Sequence, residues 1–68
     1  MTFDDLRTMW QQAQDLEATC ERINRDEALP WYQRGLLHDA QVHFYKAADC
    51  LMAVMERAFP HDVTVWDV

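Results

Sequence analysis

Apolar side chains recur at helical spacing over most of this chain, with one polar break. In the first third, Leu6, Ala13 and Cys20 repeat every seven residues, as do Met9, Leu16 and Ile23, giving an a/d stripe close to three heptads long. Phe3 and Trp10 lie beside that stripe and widen it near its start. Thr2, with Asp5 three residues on, makes an approximate capping box, and Asp4 and Asp5 suit the positive end of a helix dipole. The pattern predicts a helix over about 3–25, running out in Asn24-Arg25-Asp26-Glu27.

A longer run begins at Pro30, which fits the first turn of a helix because its missing amide is no loss there. Leu37, Phe44, Leu51 and Ala58 recur by sevens, with Ala40, Ala47 and Val54 as the companion row. Round the helix from these come Gln41, Ala48 and Met55, then Tyr45, Met52 and Phe59, more apolar width than one antiparallel helix can cover. The spacing predicts a second helix over about 30–59. Gly35 in its first turns costs about 1 kcal/mol relative to Ala and suggests a close helix approach near Trp31 or fraying there. Pro60 ends the pattern, and residues 60–68 hold Val63, Val65, Trp66 and Val68, which read as a short extended tail. Such a tail needs a partner: it docks on the helices of an oligomer, pairs with a symmetry mate, or adds to the sheet edge of a target.

These elements predict one all-α domain over 1–68, an antiparallel two-helix hairpin with a short extended C-terminal tail that dimerises into a four-helix-bundle-like assembly. The expected intrachain core is Leu6, Met9, Leu16, Ile23, Leu37, Phe44 and Leu51. The expected oligomer interface is Tyr45, Met52, Met55 and Phe59. Composition strengthens the case for a second copy. A chain of 68 residues that is 50% hydrophobic buries too little surface on its own for ample stability, and closing against another copy makes up the difference.

Charge narrows the partners. The net charge of −6 comes from twelve acids against six bases, with no basic patch, which argues against general nucleic-acid binding and against an anionic membrane surface. No apolar run approaches a membrane span, and the opening Met-Thr-Phe-Asp-Asp has neither the basic nor the apolar region of a signal peptide, so the expected location is cytoplasmic. Cys20 and Cys50 then read as reduced, buried thiols, with a disulfide between the helices as the alternative.

Catalytic signatures are missing. The chain has no serine, phosphate loop, HExxH or CxxC, and a hairpin this small lacks the concave volume a catalytic pocket needs, so no catalytic residue and no cofactor is assigned. His38 and His43 are five apart and project about 140° from one another on a helix, which leaves no metal-ligand pair. The candidate partner-binding residues are Glu17 and Glu21, which would steer the chain towards a basic surface, together with Trp31, Tyr32, Arg34 and Trp66 as anchors.

In length, acidity and hairpin form the chain resembles small phage-encoded proteins of the anti-CRISPR and anti-quorum-sensing class, which disable host systems and several of which are helical dimers. The segment Leu37-His38-Asp39-Ala40-Gln41-Val42-His43-Phe44-Tyr45-Lys46-Ala47-Ala48, following Arg34, also looks like the second helix of the phage anti-CBASS hairpin family, which sequesters cyclic nucleotide signals. The first likeness implies a non-enzymatic inhibitor that occludes a host protein with a basic surface. The second implies an oligomeric sponge for a cyclic nucleotide, for which Arg34, Lys46 and Arg57 are few cations. A structural or assembly subunit is a third reading.

Overall fold

Helix α1 (Phe3–Asp26) starts where Thr2 supplies what the first turn lacks. The Thr2 hydroxyl accepts from the Asp5 amide at 3.2 Å, and the Asp5 carboxylate accepts from the Thr2 amide at 3.1 Å, so both halves of the capping box form. Hydrogen bonding from the Thr2 backbone, and then from its side chain, holds the Asp5 carboxyl below its usual value. The α1 end is closed by the Glu27 amide donating to the Ile23 carbonyl at 2.9 Å.

Helix α2 (Trp31–Ala58) runs back antiparallel to α1, with Pro30 as its N-cap. Arg34 ties the connection together. Its Nε donates to Asn24 Oδ1 at 3.2 Å and its Nη2 to the Asn24 carbonyl at 3.1 Å, so one guanidinium satisfies acceptors at the open end of α1. Gly35 is an ordinary helical residue: no atom lies within 4 Å of where a Cβ would stand. The close approach expected there is absent.

In this computed structural model residues 1–66 are described, and they are helical with no strand among them. The tail is not extended. Pro60–Val65 form a short helix α3 after a break at Phe59 (φ −136°, ψ 58°), and Asp67 and Val68 of the expected tail lie outside the described residues. Pro60 explains both events, since it cannot continue α2 but is preorganised as the first residue of a new helix. The β-propensity of Val63 and Val65 is overridden because the helical turn packs Val63 and Trp66 against the core. Trp66 meets Trp10 edge-on at 5.0 Å and Phe3 at 5.6 Å, and Phe3 meets Phe59 at 6.0 Å.

The buried core is Leu6, Trp10, Ala13, Ala48 and Met55, with Cys20 buried further along α1. The α1 seam thus runs through Phe3, Leu6, Trp10, Ala13, Glu17 and Cys20, in alternating steps of three and four, and is rotated by one position from the expected a/d stripe. Two corrections follow. Met9 and Leu16, expected in the core, are each 47% exposed, while Met55, expected at an oligomer interface, is fully buried inside the chain. Size decides the rotation: the Trp10 indole is the largest side chain on α1, and Ala13 and Ala48 leave room to bury it, whereas Met9 and Leu16 tolerate the edge. Met52 and Phe59 also pack on this core, while Leu37, Phe44, Leu51 and Ile23 are half-buried along it.

Three outcomes test this packing. Met55→Ala should lower unfolding free energy by about 2–5 kcal/mol in denaturant titrations, and a loss below about 1 kcal/mol would contradict its central position. Gly35→Ala should raise stability by about 0.5–1 kcal/mol, and destabilisation would show a crowded site. For Asp5 the folded carboxyl titrates below the unfolded one, so its stabilisation is present above the unfolded value near about 4 and is lost as pH falls through the folded value. Asp5→Asn should flatten that acid limb of the stability profile, and an unchanged limb would place the acid sensitivity elsewhere.

Candidate functional site

Once the seam is buried, each helix keeps a flank on either side of it, and antiparallel packing sets like flanks together. The two faces of the hairpin that result are different in kind.

One face is apolar and carries no charge along its middle. On α1 it presents Met9, Gln12, Leu16, Thr19 and Ile23, again in steps of three and four, and on α2 it presents Leu36, Ala40, His43, Ala47, Cys50 and Val54. Ile23, Leu29, Gln33, Leu36, Leu37 and Ala40 line one shallow depression of about 420 Å³, which sets Ile23 of the first row beside Leu36 and Ala40 of the second at the loop end. Met9 and Leu16 at 47%, Leu36 at 68% and Val54 at 46% exposure make it a second hydrophobic seam with nothing over it. The α1 row carries the large Met9, Leu16 and Ile23, and the α2 row intersperses the small Ala40, Ala47 and Cys50 with Leu36, His43 and Val54. His43 adds no free donor at Nδ1, which lies 2.7 Å from the Asp39 carbonyl of its own helix and donates to it.

The opposite face holds a cleft of about 270 Å³ between the helices, lined by Trp10, Gln14 and Glu17 from α1 and Tyr45, Ala48, Asp49 and Met52 from α2. Two carboxylates and two aromatic rings meet there without a Lys, Arg or His. Neither Glu17 nor Asp49 joins an ion pair; the ion pairs among the described residues are Arg7–Asp4 and Arg25–Asp26, each at 3.0 Å. Tyr45 stays 59% exposed at the rim, alone among the residues expected to form the oligomer interface in standing clear of the core.

The remaining candidates scatter. Glu17 lies in the cleft and Glu21 is exposed one turn further along α1. Trp31 (85% exposed) and Tyr32 (54%) stand edge-to-face at 6.1 Å on the uncapped start of α2, at the loop end of the hairpin. Arg34 is occupied by Asn24, and Trp66 is packed on Trp10, so neither is a free anchor. Cys20 is buried as expected, but Cys50 is exposed, and both are free thiols. Among the described residues no group of three or more His, Cys, Asp or Glu is placed to hold a metal ion, and no helix is long and apolar enough to cross a membrane. The meeting of Trp10 and Glu17 with Tyr45 and Asp49 was hidden in the sequence because it joins residues of two different helices and depends on the seam rotation. No family model, curated protein or solved structure matches the chain.

Proposed function

We propose that this chain is a non-enzymatic protein-interaction module that pairs with a second copy through its uncovered seam and presents its acid-lined face to a protein with a basic surface. The observation that carries this reading is the second seam itself. In a chain that is 26% charged, no Asp, Glu, Lys or Arg interrupts the row Met9, Gln12, Leu16, Thr19 and Ile23 or the row that runs through Leu36, Ala40, His43, Ala47, Cys50 and Val54. A partner helix suits such a stripe, and a second copy suits it best. Met9, Leu16 and Ile23 of one hairpin can seat against the small Ala40, Ala47 and Cys50 of the other, and a two-fold axis satisfies both contacts at once. The hairpin measures 45 × 17 × 17 Å, so one face is of the size that a standard interface of about 800 Å² per partner requires.

With that seam closed, the acidic faces point outward. Glu17, Glu21 and Asp49 supply a field that speeds encounter with a basic surface, and Trp31 and Tyr32 supply exposed aromatic anchors at the hairpin tip. The likeness to small phage proteins extends the proposal to occlusion of a host protein. An anionic cyclic nucleotide is the poorer occupant, because the cleft offers it carboxylates and no cation.

Sedimentation tests the pairing. Wild type should sediment as a dimer over a concentration series, and Leu16→Asp with Val54→Asp should give a monomer of unchanged helicity, since both positions are already half-exposed within the chain. A wild-type monomer throughout, or a dimer that survives both aspartates, overturns it. For the partner, Glu17→Lys with Glu21→Lys should slow association with a basic protein captured from host lysate and flatten its salt dependence. Unchanged rates remove the steering argument.

A further inference from the structure

We infer that the cleft between α1 and α2 is a receptor for one organic cation, the guanidinium of an arginine side chain. The identification of the source as a protein partner rests on the function proposed above; the chemistry of the site does not.

Four features point to this ligand. The first is size, because about 270 Å³ falls just short of the roughly 300–1,000 Å³ of drug-sized pockets and suits a single long side chain. The second is the wall. Tyr45, 59% exposed, offers its ring to a poorly hydrated organic cation, and the small exposed part of Trp10 lines the cleft from the other helix. The third is charge, since Glu17 and Asp49 also come from opposite helices, are engaged in no ion pair and have no cation beside them in the cleft. A guanidinium, with five donors in a planar fork, can bond carboxylates on two sides while its face lies on a ring, which an ammonium cannot do. Gln14 adds a neutral acceptor at the rim, and Met52 offers an adaptable apolar surface for the arginine stem.

The fourth feature is preorganisation. Trp10 is held from behind by Trp66 at 5.0 Å and sits in the buried core, so its ring is in place before any ligand arrives. Helix α3 thus supports the site without lining it. The Tyr45 ring also separates this cleft from a patch of acids that would collect any counterion: a hydrated divalent ion gains nothing from an aromatic face, whereas a guanidinium does.

Titration of the isotope-labelled full chain with a capped arginine amide, followed by amide and indole resonances, tests the assignment. The Trp10 indole and the Gln14, Tyr45 and Asp49 amides should shift saturably, with a millimolar dissociation constant reasonable for a single side chain. A capped citrulline amide, the neutral isostere, should leave them unmoved, and so should magnesium. Glu17→Gln with Asp49→Asn should weaken the arginine response by about tenfold or more; Glu17 is half-buried in the seam, Asp49 is exposed, neither belongs to the core cluster and both replacements are near-isosteric, so circular dichroism should be unchanged. Equal shifts with citrulline, no saturation with arginine, or an undiminished response in the double variant would overturn the site. Free agmatine and an arginine-containing peptide separate a small guanidinium ligand from a side chain presented by a polypeptide. Arginine binding here without any charge-steered protein partner would keep the site and remove the proposed function. A steered partner whose affinity ignores Glu17→Gln with Asp49→Asn would do the reverse.

Discussion

The burial of Trp10 and Met55 between α1 and α2 is the contact on which the rest of the chain depends. Met55 has no exposed surface, and Trp10 fills the space that Ala13 and Ala48 leave open. That choice sets the rotation of both helices. It also supplies the surface on which α3 docks, through Trp66 and Val63, and it decides which apolar rows remain uncovered. Rotating α1 by one heptad position would bring Met9 and Leu16 into the seam in place of Trp10, and rotating α2 would release Met55.

The helices and their caps were legible in the sequence for local reasons. Thr2 and Asp5 announce the first turn, Pro30 the second helix, and Pro60 the stop, each through a backbone group it supplies or lacks. The rotation was not legible, because α1 offers two apolar heptad rows beside a third that mixes Phe3 and Trp10 with Glu17, and periodicity alone favours the two uniform rows. Met9, Leu16 and Ile23 form the more uniformly hydrophobic row, yet the seam passes through Trp10 and Glu17 instead. The useful signal was size alternation, one Trp on α1 against alanines on both helices. The tail misled for a different reason. Local β-propensity in Val63 and Val65 weighs little against the burial of Trp66 in an aromatic cluster.

The proposed function rests on the asymmetry that the seam creates. One side of the hairpin is apolar, with no Asp, Glu, Lys or Arg along its middle; the other sets Glu17 and Asp49 beside Trp10 and Tyr45, with Glu21 exposed one turn further along α1. Pairing through the first face leaves both copies of the second facing outward, so a dimer would offer two equivalent acidic clefts on opposite sides. Bivalent engagement of a basic surface then needs no contact beyond those each hairpin already carries. Arg34, one of six cations, is committed to holding the connection and takes no part in either face.

Isotope-filtered nuclear Overhauser spectroscopy on a mixture of labelled and unlabelled chains tests the central claim most directly, since it sees only contacts between copies. Cross-peaks from the methyl groups of Met9, Leu16, Leu36 and Val54 to the partner copy are the predicted result. Cross-peaks confined to Tyr45 and Met52, or none between copies at all, would contradict it.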